Sequence, residues 1–75
     1  MTKGYGCLSN RLAVIRIEKS LSQKELAERV GVSRQTIVSL EKNRYNPSLK
    51  LAFEIADVLG VDIHEVFQYQ KKHCS

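Results

Sequence analysis

Aromatic residues are scarce in this chain: two Phe, three Tyr and no Trp in 75 residues. There is one proline, and there are only two cysteines. No apolar run approaches the roughly 20 residues of a membrane-spanning helix, and no signal-peptide core follows Met1. A cytoplasmic protein without membrane association is therefore expected. Cys7 and Cys74 lie near opposite ends and form no spaced ligand pair, while His73 and the distant His64 add little. No metal is expected. Both thiols are expected to be free in a reducing compartment, although a disulfide is conceivable if the termini meet. A phosphate-cradling glycine loop, a nucleophile–base arrangement and a persuasive carboxylate pair are also missing, which excludes an enzyme and leaves no cofactor to place.

What is present is a small, basic, moderately apolar chain. Net charge is +4, the pI is about 9.3, and 43% of residues are apolar. That length allows one domain, near the size at which burial only just outweighs chain entropy. The positive balance suits a polyanionic partner without specifying one.

The most informative stretch is Ser22–Lys42, SQKELAERVGVSRQTIVSLEK. Ser22 and Glu25 have the spacing of a capping box, so a helix starts there, with Leu26, Ala27 and Val30 on one face. Gly31 can take the left-handed conformation that a sharp exit requires, and Val32 fills the turn. Ser33 then caps a second helix, Arg34 to Lys42. Two short helices joined in this way make a helix-turn-helix, whose second helix enters the major groove of double-stranded DNA.

At about 100° per residue, Ile37, Leu40 and Glu41 gather on the inward side of that second helix. Gln35, Lys42 and Ser39 fall outward, with Val38 at their edge. Gln can pair bidentately with adenine, Ser can bond a base edge, and Val can touch a thymine methyl. Arg34 opens the helix and has the reach of an N-terminal base reader, and Thr36 is better placed for a phosphate. A merely solvated helix face is the plain alternative.

The spacing of Gln23, Ala27, Gly31, Ile37 and Glu41 resembles the Cro/C1-type helix-turn-helix regulators of phages and bacteria. Within Asn10–Phe67 the runs LSQKELA, VSRQTI and NPSLKLA are similar to short stand-alone members of that family. The resemblance implies a five-helix homodimeric repressor. It implies that Gln23 contacts a backbone phosphate and that Arg34, Gln35 and Ser39 face bases. Thr36, Asn43, Arg44 and Tyr45 would line the phosphates, and Arg16 and Glu41 would form a partly buried ion pair. The last helix would supply the dimer interface.

The remaining segments fit around this centre. Residues 1–8 form an arm or short strand, and Ser9 or Asn10 caps a first helix running to about Lys19, with Leu12 and Ile15 inward. Val14 and Ile17 face outward, to be covered by Tyr5 of the arm or by another protein. Asn43 can end the second helix of the motif in the left-handed conformation, so Lys42, Arg44 and Tyr45 crowd its exit. Pro47 forbids simple continuation, and Ser48 caps a fourth helix, Leu49–Leu59, apolar on more than one side and hence central. Gly60 ends it; Asp62 and Glu65 form a loose capping pair around a last helix, Ile63–Phe67.

The expected fold is all-α, a compact five-helix bundle over residues 9–67 that contains a helix-turn-helix. Segment 68–75 adds a tail whose Gln68-Tyr69-Gln70 can pair with Cys7-Leu8 in a short two-stranded antiparallel sheet joining the termini. Ile63, Val66, Phe67 and Tyr69 are the expected seam between two copies. The expected function is sequence-specific binding of double-stranded DNA by a homodimeric repressor on a palindromic operator. The alternative is an antitoxin-like module that neutralises a toxin, with Val14 and Ile17 as its contact patch.

Overall fold

The structure, a computed structural model, describes residues 6–44 and 46–71. The chain runs β1 (Cys7–Asn10), α1 (Leu12–Glu18), α2 (Gln23–Val30), α3 (Arg34–Glu41), α4 (Leu49–Leu59), α5 (Ile63–Val66) and β2 (Phe67–Gln70). The five helices and the small antiparallel sheet expected from the sequence are present. β1 pairs β2 with Cys7 opposite Gln70, Leu8 opposite Tyr69, Ser9 opposite Gln68 and Asn10 opposite Phe67.

Local chemistry sets the helix starts. The Ser22 hydroxyl accepts from the Glu25 amide at 3.0 Å, and the Glu25 carboxylate accepts from the Ser22 amide at 2.8 Å. Ser33 and Ser48 accept from the amides of Thr36 and Leu51, each at 3.1 Å. Such caps contribute typically about 1 kcal/mol each by satisfying an otherwise orphaned donor. Asp62 caps α5 through His64, whose amide donates to Oδ1 at 2.8 Å, so the expected pairing with Glu65 is replaced. Ser9 and Asn10 lie in β1, and α1 starts only at Leu12. Asn10 still receives that residue's amide at 3.1 Å.

Four helices end alike. Ser20, Gly31, Asn43 and Gly60 all have positive φ, at 61°, 89°, 58° and 72°. After each, the next amide reaches back five residues: Leu21 to Arg16, Val32 to Ala27, Arg44 to Ser39, and Val61 to Ala56. This left-handed exit satisfies terminal carbonyls and usually tucks the following apolar side chain under the helix. Leu21, Val32 and Val61 do pack against the core. Arg44 is exposed instead.

All five helices supply the core. Leu12, Leu26, Ile37, Leu40, Ile55 and Val66 are its fully buried large side chains. Each contributes about 1.5–3 kcal/mol by leaving water. Val66, expected at a seam between copies, is 0% exposed within the single chain, so it is a core residue. α4 is less enclosed than its composition implied: Ala52, Ile55, Ala56 and Leu59 are buried, yet Leu49 and Phe53 face solvent. Cys7 is held in a disulfide bond, which corrects the expectation of a free thiol there; Cys74 lies outside the described residues. No helix among the described residues is long and apolar enough to cross a membrane.

Candidate nucleic-acid interface

The outer side of α3 carries no unpaired acid. Its only carboxylate, Glu41, turns inward, where Oε2 accepts from Arg16 Nε at 2.6 Å and Oε1 accepts from Nη2 at 3.4 Å. The two side chains are only 12% and 8% exposed. Arg16 also donates to the Leu21 carbonyl at 2.7 Å, so both charges are paired and hydrogen-bonded within the fold. A buried pair of this kind adds little net stability, but loss of one partner strands a charge away from water.

Gln23 extends the cluster toward the surface. Its Nε2 donates to Glu41 Oε1 at 2.9 Å, while its Oε1 accepts from Arg34 Nη2 at 3.4 Å. Arg34 and Gln35 are exposed, and Val38 and Ser39 are half-buried along the same helix. Thr36 is half-buried as well, with its hydroxyl 2.9 Å from that of Ser33. Gln35 presents a donor and an acceptor, and Arg34 a cation whose one side-chain bond among the described residues is the long contact to Gln23. This is the equipment for reading base edges.

Lys42, Asn43 and Arg44 are exposed at the exit of α3, and Tyr45 lies outside the described residues. Asn43 is not idle: its side-chain amide donates to the Leu8 carbonyl at 2.8 Å, tying the exit to β1. Asn10 braces the same place from within, donating to the Leu40 carbonyl at 2.9 Å. Nothing local in the sequence announces this second role of Asn10, because its acceptor lies 30 residues away and only the folded chain brings them together.

The other candidates are more dispersed. Ile63 and Phe67 are half-buried against the core, and Tyr69 is 61% exposed. The ring of Tyr69 lies over Gly6, where any Cβ would collide with it. Val14 and Ile17 are 47% and 64% exposed on α1; Tyr5, their expected cover, lies outside the described residues. Two exposed carboxylates serve in caps. Glu25 is held below its ordinary pKa by the Ser22 backbone amide and then the Ser22 side chain, and Asp62 likewise by the backbone and then the side chain of His64. Among the described residues no group of acidic, His or Cys side chains could hold a metal ion.

The chain is similar in sequence and fold to known proteins. The helix-turn-helix family model matches residues 12–66. An uncharacterized HTH-type transcriptional regulator of Methanocaldococcus jannaschii is 49% identical over 63 residues, spanning 84% of this chain and 96% of its own. The immunity repressor protein of Bacillus phage phi105 is 36% identical over 59 residues, covering 79% of this chain and 41% of its own. The crystal structure of SinR, a master regulator for biofilm formation, in complex with DNA has a TM-score of 0.68 at 38% identity. That match covers 72% of this chain and 87% of SinR.

Proposed function

Because this chain belongs to the helix-turn-helix family of DNA-binding transcriptional regulators, we propose that it reads a two-fold symmetric operator as a homodimer and represses by occluding a promoter. The family acts by binding DNA rather than by catalysis. In this reading α3 lies in the major groove, where Arg34, Gln35, Val38 and Ser39 probe base edges. Gln23, Thr36, Lys42, Asn43, Arg44 and Tyr45 hold the flanking phosphates. Ile63, Phe67 and Tyr69 lie toward the second copy, and the protein works in the cytoplasm beside its DNA.

One observation carries the proposal. Glu41 is turned inward and paired, while Arg34 and Gln35 of the same helix stand in solvent. A groove of negative potential meets a cation and an amide there, with no unpaired carboxylate of α3 among them. Phosphate contacts supply affinity that falls with salt, and base contacts supply discrimination. Selection of bound duplexes from a random pool tests both halves. Palindromic winners with half-sites about 34–36 Å apart are expected. Winners of one asymmetric half-site would exclude the dimer, and no enrichment at all would exclude sequence-specific reading.

The exposure of Val14 and Ile17 favours one second reading, an antitoxin-like contact with a toxin protein. Co-expression with a neighbouring reading frame for a small toxic enzyme decides it. A complex of fixed stoichiometry, lost in Ile17→Asp, would support that reading; no complex would remove it.

A further inference from the structure

The two long edges of the β1–β2 ribbon differ. Arg11 donates its amide to the Val66 carbonyl at 2.8 Å, continuing the register one step past Asn10 and Phe67. Opposed residues in an antiparallel pair alternate between bonded and non-bonded. Ser9–Gln68 and Cys7–Gln70 are therefore the bonded pairs. Leu8, Asn10, Phe67 and Tyr69 aim their backbone groups away from the ribbon. On the β1 side, the outward carbonyl of Leu8 is capped by Asn43 at 2.8 Å. On the β2 side, the amide of Phe67 is spent on the Ile63 carbonyl of α5. That leaves the Phe67 carbonyl and both backbone groups of Tyr69 facing outward.

We propose that this open edge of β2 pairs antiparallel with the same edge of a second copy, making a four-stranded sheet across the two-fold axis. The proposal rests on the homodimer reading and specifies what holds the dimer together. Centred on Tyr69, the pairing is self-complementary. The Tyr69 amide of each copy donates to the Tyr69 carbonyl of the other, and each Phe67 carbonyl accepts the other's Lys71 amide. No outward donor is used twice, because the occupied Phe67 amide is not required. The strand itself, Phe-Gln-Tyr-Gln, has neither charge nor proline, so it lacks the devices that keep strand edges apart. Phe67 and Tyr69 alternate onto one side of the strand, Phe67 packed against the core and Tyr69 exposed. A two-fold axis allows one edge to satisfy its own twin, which a foreign strand would do only by coincidence of sequence.

The test compares Tyr69→Pro with Tyr69→Ala. Both remove the ring, but only the proline removes the outward amide, which serves no bond among the described residues. Edge strands tolerate proline at such positions, so the two variants should melt together at dilutions where both are monomeric. In sedimentation velocity without reductant, Tyr69→Pro should dissociate about tenfold more readily than Tyr69→Ala. Equal dissociation would overturn the strand pairing. Amide exchange in the unmodified chain gives a check independent of folding in the variants. As concentration drives assembly, the Tyr69 amide should become protected, whereas the Gln68 amide is protected throughout. A dimer whose Tyr69 amide stays fast sinks the sheet but keeps the dimer. A chain that remains monomeric both free and on DNA sinks the dimer itself.

Discussion

Ile37, Leu40 and Glu41 on the inner side of α3 and Arg34 and Gln35 on its outer side share one eight-residue helix and meet different solvents. The inner residues are buried or paired, and the outer ones are exposed. A similar contrast separates the exits of α2 and α3. Gly31 and Asn43 make the same left-handed turn, but Val32 then folds onto the core while Arg44 stays in solvent. Backbone geometry is thus held constant across both comparisons, and the side chain alone decides between anchoring the helix and presenting it. Changes on the anchoring side should alter stability, and changes on the presenting side should alter DNA binding.

The largest separation is expected at Glu41. Glu41→Ala leaves the Arg16 guanidinium buried without its acid and should cost about 3–5 kcal/mol in urea unfolding. A loss below about 1 kcal/mol would mean that Arg16 escapes to water and that the inner side is not an anchor. Gln35→Ala should instead leave unfolding unchanged and lose about 1–3 kcal/mol of binding, confined to the preferred duplex. Equal losses on preferred and scrambled DNA, measured by fluorescence anisotropy, would deny Gln35 a reading role.

The two exits should part more modestly. Val32→Ala removes half-buried methyl groups and should destabilise by about 1 kcal/mol. Arg44→Ala should not alter the melt; it should weaken all sequences alike and lower the salt slope of binding by about one unit. A changed melt in Arg44→Ala, or an unchanged one in Val32→Ala, would erase the distinction. The smallest effect is acid-dependent. Glu25 and Asp62 have folded pKa values below their unfolded ones, so their stabilisation is present above the unfolded value. It is lost as pH falls through the depressed folded value. Glu25→Gln should flatten the acid side of the stability profile, and calorimetric melts from neutral pH downward measure that.

Legibility followed the range of the interactions. Ser22 with Glu25, Ser33 with Thr36 and the glycine exits act over three to five residues, so their spacing displays them. The start of α1 was harder, because Ser9 and Asn10 are equally good caps and good partners for β2, and the strand outcompetes the helix. Val66 was misplaced because apolarity at the edge of a small domain serves a core and a seam equally well. The double use of Asn43, first as a left-handed residue and then as a donor to Leu8, was only half visible.

By itself the sequence determined the starts of α2, α3 and α4, the glycine exits of α2 and α4 and the pattern of a helix-turn-helix, since caps, turns and periodicity are local. Only the tertiary structure decided which polar groups are committed and which remain open. The contacts of Gln23 with Glu41, Asn10 with Leu40 and Asn43 with Leu8 join residues 18, 30 and 35 positions apart. Whether such an amide is bound or available depends on packing across the whole chain, and no local stretch carries that information.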